Sequence, residues 1–166
     1  MAATSMKPMT NIIQTRISSP LDPLIIQATA NGVSYVGFYP PTDYVEMPFE
    51  EITNPHIIEC ATQLGEYFNK QREEFTLTLD TQGTRFQQDV WHALMRVPFG
   101  HTQSYKEIAQ KLENPKAVRA VGAANGKNPV SIIVPCHRII GANGKLTGYA
   151  GGLDRKLWLL KHEGVI

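Results

Sequence analysis

The stretch LIIQATANGVSYVGFY, residues 24–39, decides the reading of the first half of the chain. Apolar side chains alternate through Leu24–Ala30 and again through Val33–Tyr39. Between them, Asn31-Gly32 accepts the positive φ angles of a two-residue turn, so the stretch reads as a β-hairpin. Working outward, Ile12–Ile17 supplies a third strand, and Ile57, Ile58, Ala61, Leu64 and Phe68 recur at helical spacing. Phe75, Leu77 and Leu79 alternate as a further strand, and residues 81–84 (Thr-Gln-Gly-Thr) read as the linker that ends the unit. The expected organisation is an α+β chain with a small domain over residues 1–80, a linker at 81–85 and a mainly helical domain over 86–166.

In the second half, Phe86, Val90, Ala93, Leu94 and Val97 mark one face of a helix that Pro98 and Gly100 stop. Ser104 followed by Glu107 is a capping box, and Tyr105, Ile108, Ala109 and Leu112 form the buried face of the helix it starts. Asn114-Pro115 suits the N-cap and first residue of another short helix, with Val118 and Val121 inward. Two short helices so joined make a helix-turn-helix. Val130–Val134 then reads as a strand running into Pro135-Cys136-His137-Arg138, Thr147–Gly152 as a flexible loop, and Asp154–Glu163 as a last helix stopped by Gly164.

Charge divides along the same line. Residues 1–83 hold 4 Lys+Arg against 10 Asp+Glu, a balance of −6; residues 84–166 hold 12 against 5, a balance of +7. The second half is the one suited to a polyanion, although charge alone also fits two solvated surfaces of opposite sign. No apolar run reaches the roughly 18–20 residues of a membrane span, and Met1–Thr10 lacks the order of a secretory signal, so no membrane partner and a cytoplasmic location are expected. Cys60 and Cys136 belong to no ligand series, which predicts separate thiols and no metal.

A cysteine held behind a proline, with His137 and Arg138 beside it, is a position for a thiolate nucleophile, and equally a place for an inert buried thiol. Neighbouring side chains diverge, so a water is the easier proton path from Cys136 to His137. Zinc deaminase, hydrolase-elbow and phosphate-loop motifs are missing. A cysteine nucleophile beside a DNA-binding motif, a non-catalytic helix-turn-helix protein that recognises damage, and a cysteine hydrolase all remain open on the residues alone.

Pro135-Cys136-His137-Arg138, with Asn128-Pro129 upstream, Tyr149 in a Gly-rich loop and Trp158–Gly164 (Trp-Leu-Leu-Lys-His-Glu-Gly) downstream, resembles the O6-alkylguanine-DNA alkyltransferase family. The resemblance is densest over residues 84–164. Over residues 1–80 it rests on the order and size of elements, and implies a small ribonuclease-H-like α/β domain. It implies direct-reversal DNA repair in which Cys136 accepts the alkyl group from O6 of guanine once, without a cofactor, with O4 of thymine a further target. His137 falls on the water-linked base, Glu163 on the carboxylate that orients it, and Asn128 on a hinge asparagine. Tyr105, Tyr149, Lys156, Ile139 and Ala150 fall on substrate-binding positions. Arg119 falls on the finger that fills the space of an extruded nucleotide, and Ala117, Ala120 and Gly122 on the small residues of a helix that enters the minor groove. The implied partner is double-stranded DNA with a flipped alkylguanine, bound by a monomer; in a eukaryote the location would be nuclear. Ala150 stands where some members have serine, and Cys136 departs from the tryptophan of the non-catalytic alkyltransferase-like branch.

Overall fold

The computed structural model describes residues 12–146 and 148–166; the reading of Met1–Thr10 and the Thr147 end of the Gly-rich loop lie outside the described residues. The chain divides into two compact units, Met1–Gln82 and Gly83–Ile166.

The first unit is built on an antiparallel sheet of order β1-β2-β3, with β1 Ile13–Ile17, β2 Leu24–Ala28 and β3 Val33–Gly37. The β2 strand is buried at four of its five residues, as expected of a central strand. The hairpin between β2 and β3 differs from the expected two-residue turn. A bulge at Gln27/Ala28 leaves four residues, 29–32, in the connection; Thr29 N donates to Gly32 O at 2.9 Å and the Thr29 hydroxyl accepts from Asn31 N. Neither Asn31 nor Gly32 has a positive φ. Gly32 is required for a different reason: a Cβ there would stand 2.7 Å from the carbonyl oxygen of Thr78, which passes directly against the turn.

That passing segment is the expected strand of Phe75–Leu79, and it makes only an isolated parallel bridge between Leu79 and Val33. A side chain holds it instead of a ladder. Gln63 accepts from Thr76 N at 2.9 Å and donates to the Thr76 hydroxyl at 3.0 Å, satisfying groups that strand pairing would otherwise take. Gln63 belongs to α1, Pro55–Phe68, which Asn54 caps by accepting from His56 N and Ile57 N. The face α1 buries is Ile57, Cys60, Gln63, Leu64 and Tyr67; Ile58 is exposed. Helical spacing fitted two phases, and the one buried brings Tyr67 against Phe75, ring centroids 5.5 Å apart.

The second unit begins with α2, Arg85–Leu94, started by a capping box of Thr84 and Gln87. Two residues, Gln103–Ser104 (β4), lead into α3, Tyr105–Lys111, whose Ser104/Glu107 capping box forms as expected. The next helix, α4, runs Val118–Gly126 with Ala117 at its N-cap, so it starts later than Asn114-Pro115. Those two residues lie in a turn, with Ala117 N donating to Asn114 O and the left-handed φ at Glu113 ending the preceding helix. The α2, α3 and α4 helices pack on one another, and the buried Trp91 indole donates to Ala124 O at 2.9 Å, tying α2 to α4. Ile139–Ile140 (β5) pairs in parallel with β4, and α5, Leu153–His162, closes the unit, ended by Gly164 at φ +79°. No helix among the described residues is long and apolar enough to cross a membrane.

Candidate active site

The segment before Cys136 is a buried loop where a strand was expected. Ile133 N donates to Ser131 O and Val134 N to Val130 O, which curls 130–134 back on itself, and Ile132 at its tip adopts φ +73°. A β-branched residue held there costs on the order of 1–3 kcal/mol, so its surroundings must enforce the conformation. Asn128 does so: its Oδ1 accepts from Val130 N at 2.9 Å and its Nδ2 donates to Val134 O at 2.8 Å, pinning both ends of the curl. A strand would have left those two groups to a partner strand, whereas among the described residues the segment bridges only to itself, Ser131 to Val134.

Pro135 then feeds a single 3-10 turn, Cys136–Arg138, in which all three side chains are buried. Cys136 is 2% exposed. Burial pushes its thiol up to about 11, against the opposing pull of the Asn128 amide and the Lys156 ammonium. The resting group is therefore the thiol, and the cation that acts on it is Lys156; His137 and Arg138 do not play the part their adjacency suggested.

Both turn instead to Glu163, the C-cap of α5, whose side chain is fully buried. His137 Nε2 lies 2.7 Å from Glu163 Oε2; Arg138 Nε donates to Oε1 at 2.8 Å and Nη2 to Oε2 at 3.0 Å. Burial would raise the Glu163 carboxyl, but the bonds from His137 and Arg138 outweigh it and hold the group well below the usual carboxylate range. Since an ionised carboxylate only accepts, His137 carries its proton on Nε2. Burial, with Arg138 and Lys156 nearby, lowers the imidazole despite the Glu163 bond, which favours the neutral ring. Its buried Nδ1 has no hydrogen-bond partner among the described residues and presents a lone pair.

Lys156 on α5 is buried and donates to Ile139 O; burial brings its amine down to about 8, and charge on Cys136 would push it back up. Tyr149 is also buried, its phenol held well above the ordinary value by burial, next by the charge Cys136 would carry, and moderated by the nearby Ser131 side chain, although its hydroxyl makes no hydrogen bond to the described residues. Ile139 is buried and contributes its carbonyl to Lys156, whereas Ala150 is exposed. Tyr105, half-buried at the start of α3, spans two glycines: its ring lies 3.8 Å from where a Gly122 Cβ would stand, and its hydroxyl 3.1 Å from the corresponding point at Gly148.

The structure thus brings Cys136, His137, Glu163, Asn128, Lys156 and Tyr149 into one buried cluster. Arg119 and Ala120 stand on the exposed face of α4, Gly122 is half-buried under Tyr105, and Ala117 is the N-cap of the helix and half-buried. Sequence reasoning missed three members. Arg138 was read only as a cation beside the thiol, Ser131 had no visible partner, and Asn125, whose Nδ2 reaches Cys136 O at 3.5 Å, looked like an ordinary helix residue. The available signal for Arg138 was its place in an otherwise apolar run, where an arginine needs a buried carboxylate.

Comparison with known proteins matches both halves of the chain. The family model for the 6-O-methylguanine DNA methyltransferase ribonuclease-like domain matches residues 12–81, and that for the DNA binding domain of the same proteins matches 85–165. The chain belongs to the 6-O-methylguanine DNA methyltransferase family. A methylated-DNA–protein-cysteine methyltransferase of Methanosarcina acetivorans is 48% identical over 147 residues, 88% of this chain and 94% of that protein. One from Mycobacterium tuberculosis is 58% identical over 148 residues, 89% of each. The solved structure of Mycobacterium tuberculosis OGT in complex with DNA superposes with a TM-score of 0.81 at 44% identity, covering 90% of this chain and 91% of that one.

Proposed function

We propose that this protein repairs DNA by transferring an alkyl group from O6 of guanine to the sulfur of Cys136, irreversibly and once per molecule. The observation that carries the reading is the buried thiol beside an imidazole whose Nε2 is occupied by Glu163 and whose Nδ1 lone pair is open. A thiol that titrates near 11 needs a base at neutral pH, and His137 is built as one.

In the reaction, the Cys136 proton passes through a relay water to His137 Nδ1, and the thiolate attacks the saturated alkyl carbon in line with the C–O6 bond. The S–C bond forms as C–O6 breaks, and the electron pair leaves on the guanine oxygen. The Lys156 ammonium near O6 and the Tyr105 hydroxyl near N3 stabilise that charge, and guanine takes up one proton while His137 releases the one it received from the thiol, so no net proton is gained or lost. The product thioether has no leaving group that water can displace, so no second cycle follows. Asn128 acts through geometry, fixing the curl that aims Cys136.

DNA is the partner this reading requires, supported by membership of the family and by the solved relative in complex with DNA. The face of α4 that exposes Arg119 and Ala120, flanked by the half-buried Ala117 and Gly122, enters the minor groove, where backbone contact dominates and sequence preference is weak. The damaged nucleotide rotates out at a cost of about a few kcal/mol, and Arg119 fills the space it leaves. The acting species is a single chain on the duplex.

The test is intact-protein mass after incubation with an excess of duplex carrying O6-methylguanine. One methyl per chain, mapped to Cys136 and absent in Cys136→Ala while DNA binding persists, is the expected result. Transfer surviving in Cys136→Ala would refute the assignment.

A further inference from the structure

Arg138 is more than the neutralising partner of a buried carboxylate. Its guanidinium makes three directed bonds: Nε to Glu163 Oε1 at 2.8 Å, Nη2 to Glu163 Oε2 at 3.0 Å, and Nη1 to the carbonyl of Val97 at 2.7 Å. The first two form a fork that fixes the plane of the carboxylate, and the third anchors the fork to the backbone just beyond α2. The Phe99 ring covers the guanidinium from 5.9 Å. The side chain is 6% exposed, so the arrangement is held away from water.

We infer that Arg138 is a positioning residue for the transfer to Cys136: it orients Glu163 by two points and supplies its counter-charge, so that His137 remains a neutral base with Nδ1 open. The inference rests on the reading of His137 as the base. Without Arg138, the Glu163 charge would lose its two-point fork and keep the imidazole at 2.7 Å and the longer bond from Gly100 N at 3.5 Å, which shifts the pair toward imidazolium and carboxylate. A protonated His137 cannot accept the thiol proton. The charged groups facing His137 are Glu163 and Lys156 from α5 and Arg138 from its own turn. From the α2 side the partner of the cluster is the uncharged Val97 carbonyl. Burial is the largest influence that keeps the ring neutral; of the charged groups, Glu163 favours the imidazolium and Arg138 and Lys156 oppose it, so the two cations offset part of the pull of the carboxylate.

Two variants separate this role from simple structural support. In Arg138→Met the charge and the fork are both lost; in Arg138→Lys the charge stays and the fork goes. His137 is titrated by its ring nitrogen NMR signals in the full-length protein, and single-turnover transfer is followed across pH. In Arg138→Met the imidazolium should persist to higher pH, and the acid limb of the transfer rate should move upward with it. In Arg138→Lys the titration should stay near that of the parent while the rate drops roughly tenfold or more, the usual scale for a lost orienting partner. A parent-like His137 titration in Arg138→Met, or a full rate in Arg138→Lys, overturns the inference. Should Arg138→Met fail to fold, the rate and titration of Arg138→Lys still decide it. If the unsubstituted protein transfers nothing to Cys136, the proposed function fails, and the NMR titrations report on Arg138 separately.

Discussion

Replacing Glu163 by glutamine tests the buried cluster as a matter of stability, independent of any reaction. The substitution keeps the shape of the side chain, so packing is preserved and the loss is electrostatic. The amide has one accepting oxygen, whereas His137 Nε2 and the Arg138 fork together direct three donors at the carboxylate. One donor must face the amide NH2, and a guanidinium that is 6% exposed is left without a compensating charge. Removing one partner of a buried ion pair costs about 3–5 kcal/mol, set against the roughly 5–15 kcal/mol of a whole domain. Trp91 and Trp158 both lie in the second unit, so tryptophan fluorescence during urea unfolding reports on that unit alone. At pH 7 the midpoint should fall by an amount equivalent to about 3–5 kcal/mol. The sign with pH follows from the depressed carboxyl. Its contribution is fully present above the unfolded value of roughly 4.3 and is lost as pH falls toward the lower folded value, so the two proteins converge only in acid below that point. A difference under about 1 kcal/mol at pH 7, the scale of an exposed pair, would refute the reasoning.

Three further outcomes follow from other positions. Arg119→Ala should weaken repair of duplex lesions while leaving reaction with free O6-alkylguanine base nearly unchanged, as read by single-turnover rates on both substrates; equal losses remove the finger role. Gly32→Ala forces a Cβ to 2.7 Å from Thr78 O and should destabilise the first unit by about 1–3 kcal/mol, measured by hydrogen exchange at the β2 and β3 amides. Modification of Cys136 by iodoacetamide without DNA should be slow at pH 7 and rise about tenfold per pH unit until the thiol titrates near 11, and Lys156→Met should slow it further.

Element existence was legible where a local rule acts alone: the Ser104/Glu107 box, the Gly164 stop and the antiparallel pair β2 and β3 all form as read, although β2 is buried at four of its five residues rather than at alternate ones. What escaped depended on distant partners. Asn31-Gly32 looks like a tight turn, yet the glycine serves an approaching carbonyl forty-odd residues on in sequence. Val130–Val134 has the composition of a strand, but the Asn128 side chain takes over both ends and forces Ile132 into a left-handed turn. Around the thiol, the motif identified Cys136, His137 and Glu163 together, because their family resemblance is specific. It did not reveal that Arg138 bonds Glu163 and the Val97 carbonyl, since the direction of a side chain in a 3-10 turn follows from what it finds to bind. The buried α1 face was misphased for a similar reason: Ile58 and Phe68 fit the helical period as well as Cys60 and Tyr67, and only packing against Phe75 decides between them.

The sealed position of the Cys136 sulfur, at 2% exposure, bears on how long the molecule stays fit for use. A reagent that works one time is ruined by any stray peroxide or metabolic electrophile that reaches it first. Kept protonated behind Asn128 and Tyr149, this sulfur is a poor target for such encounters, and its shelf life in the cell is set by how seldom that corner of the protein opens.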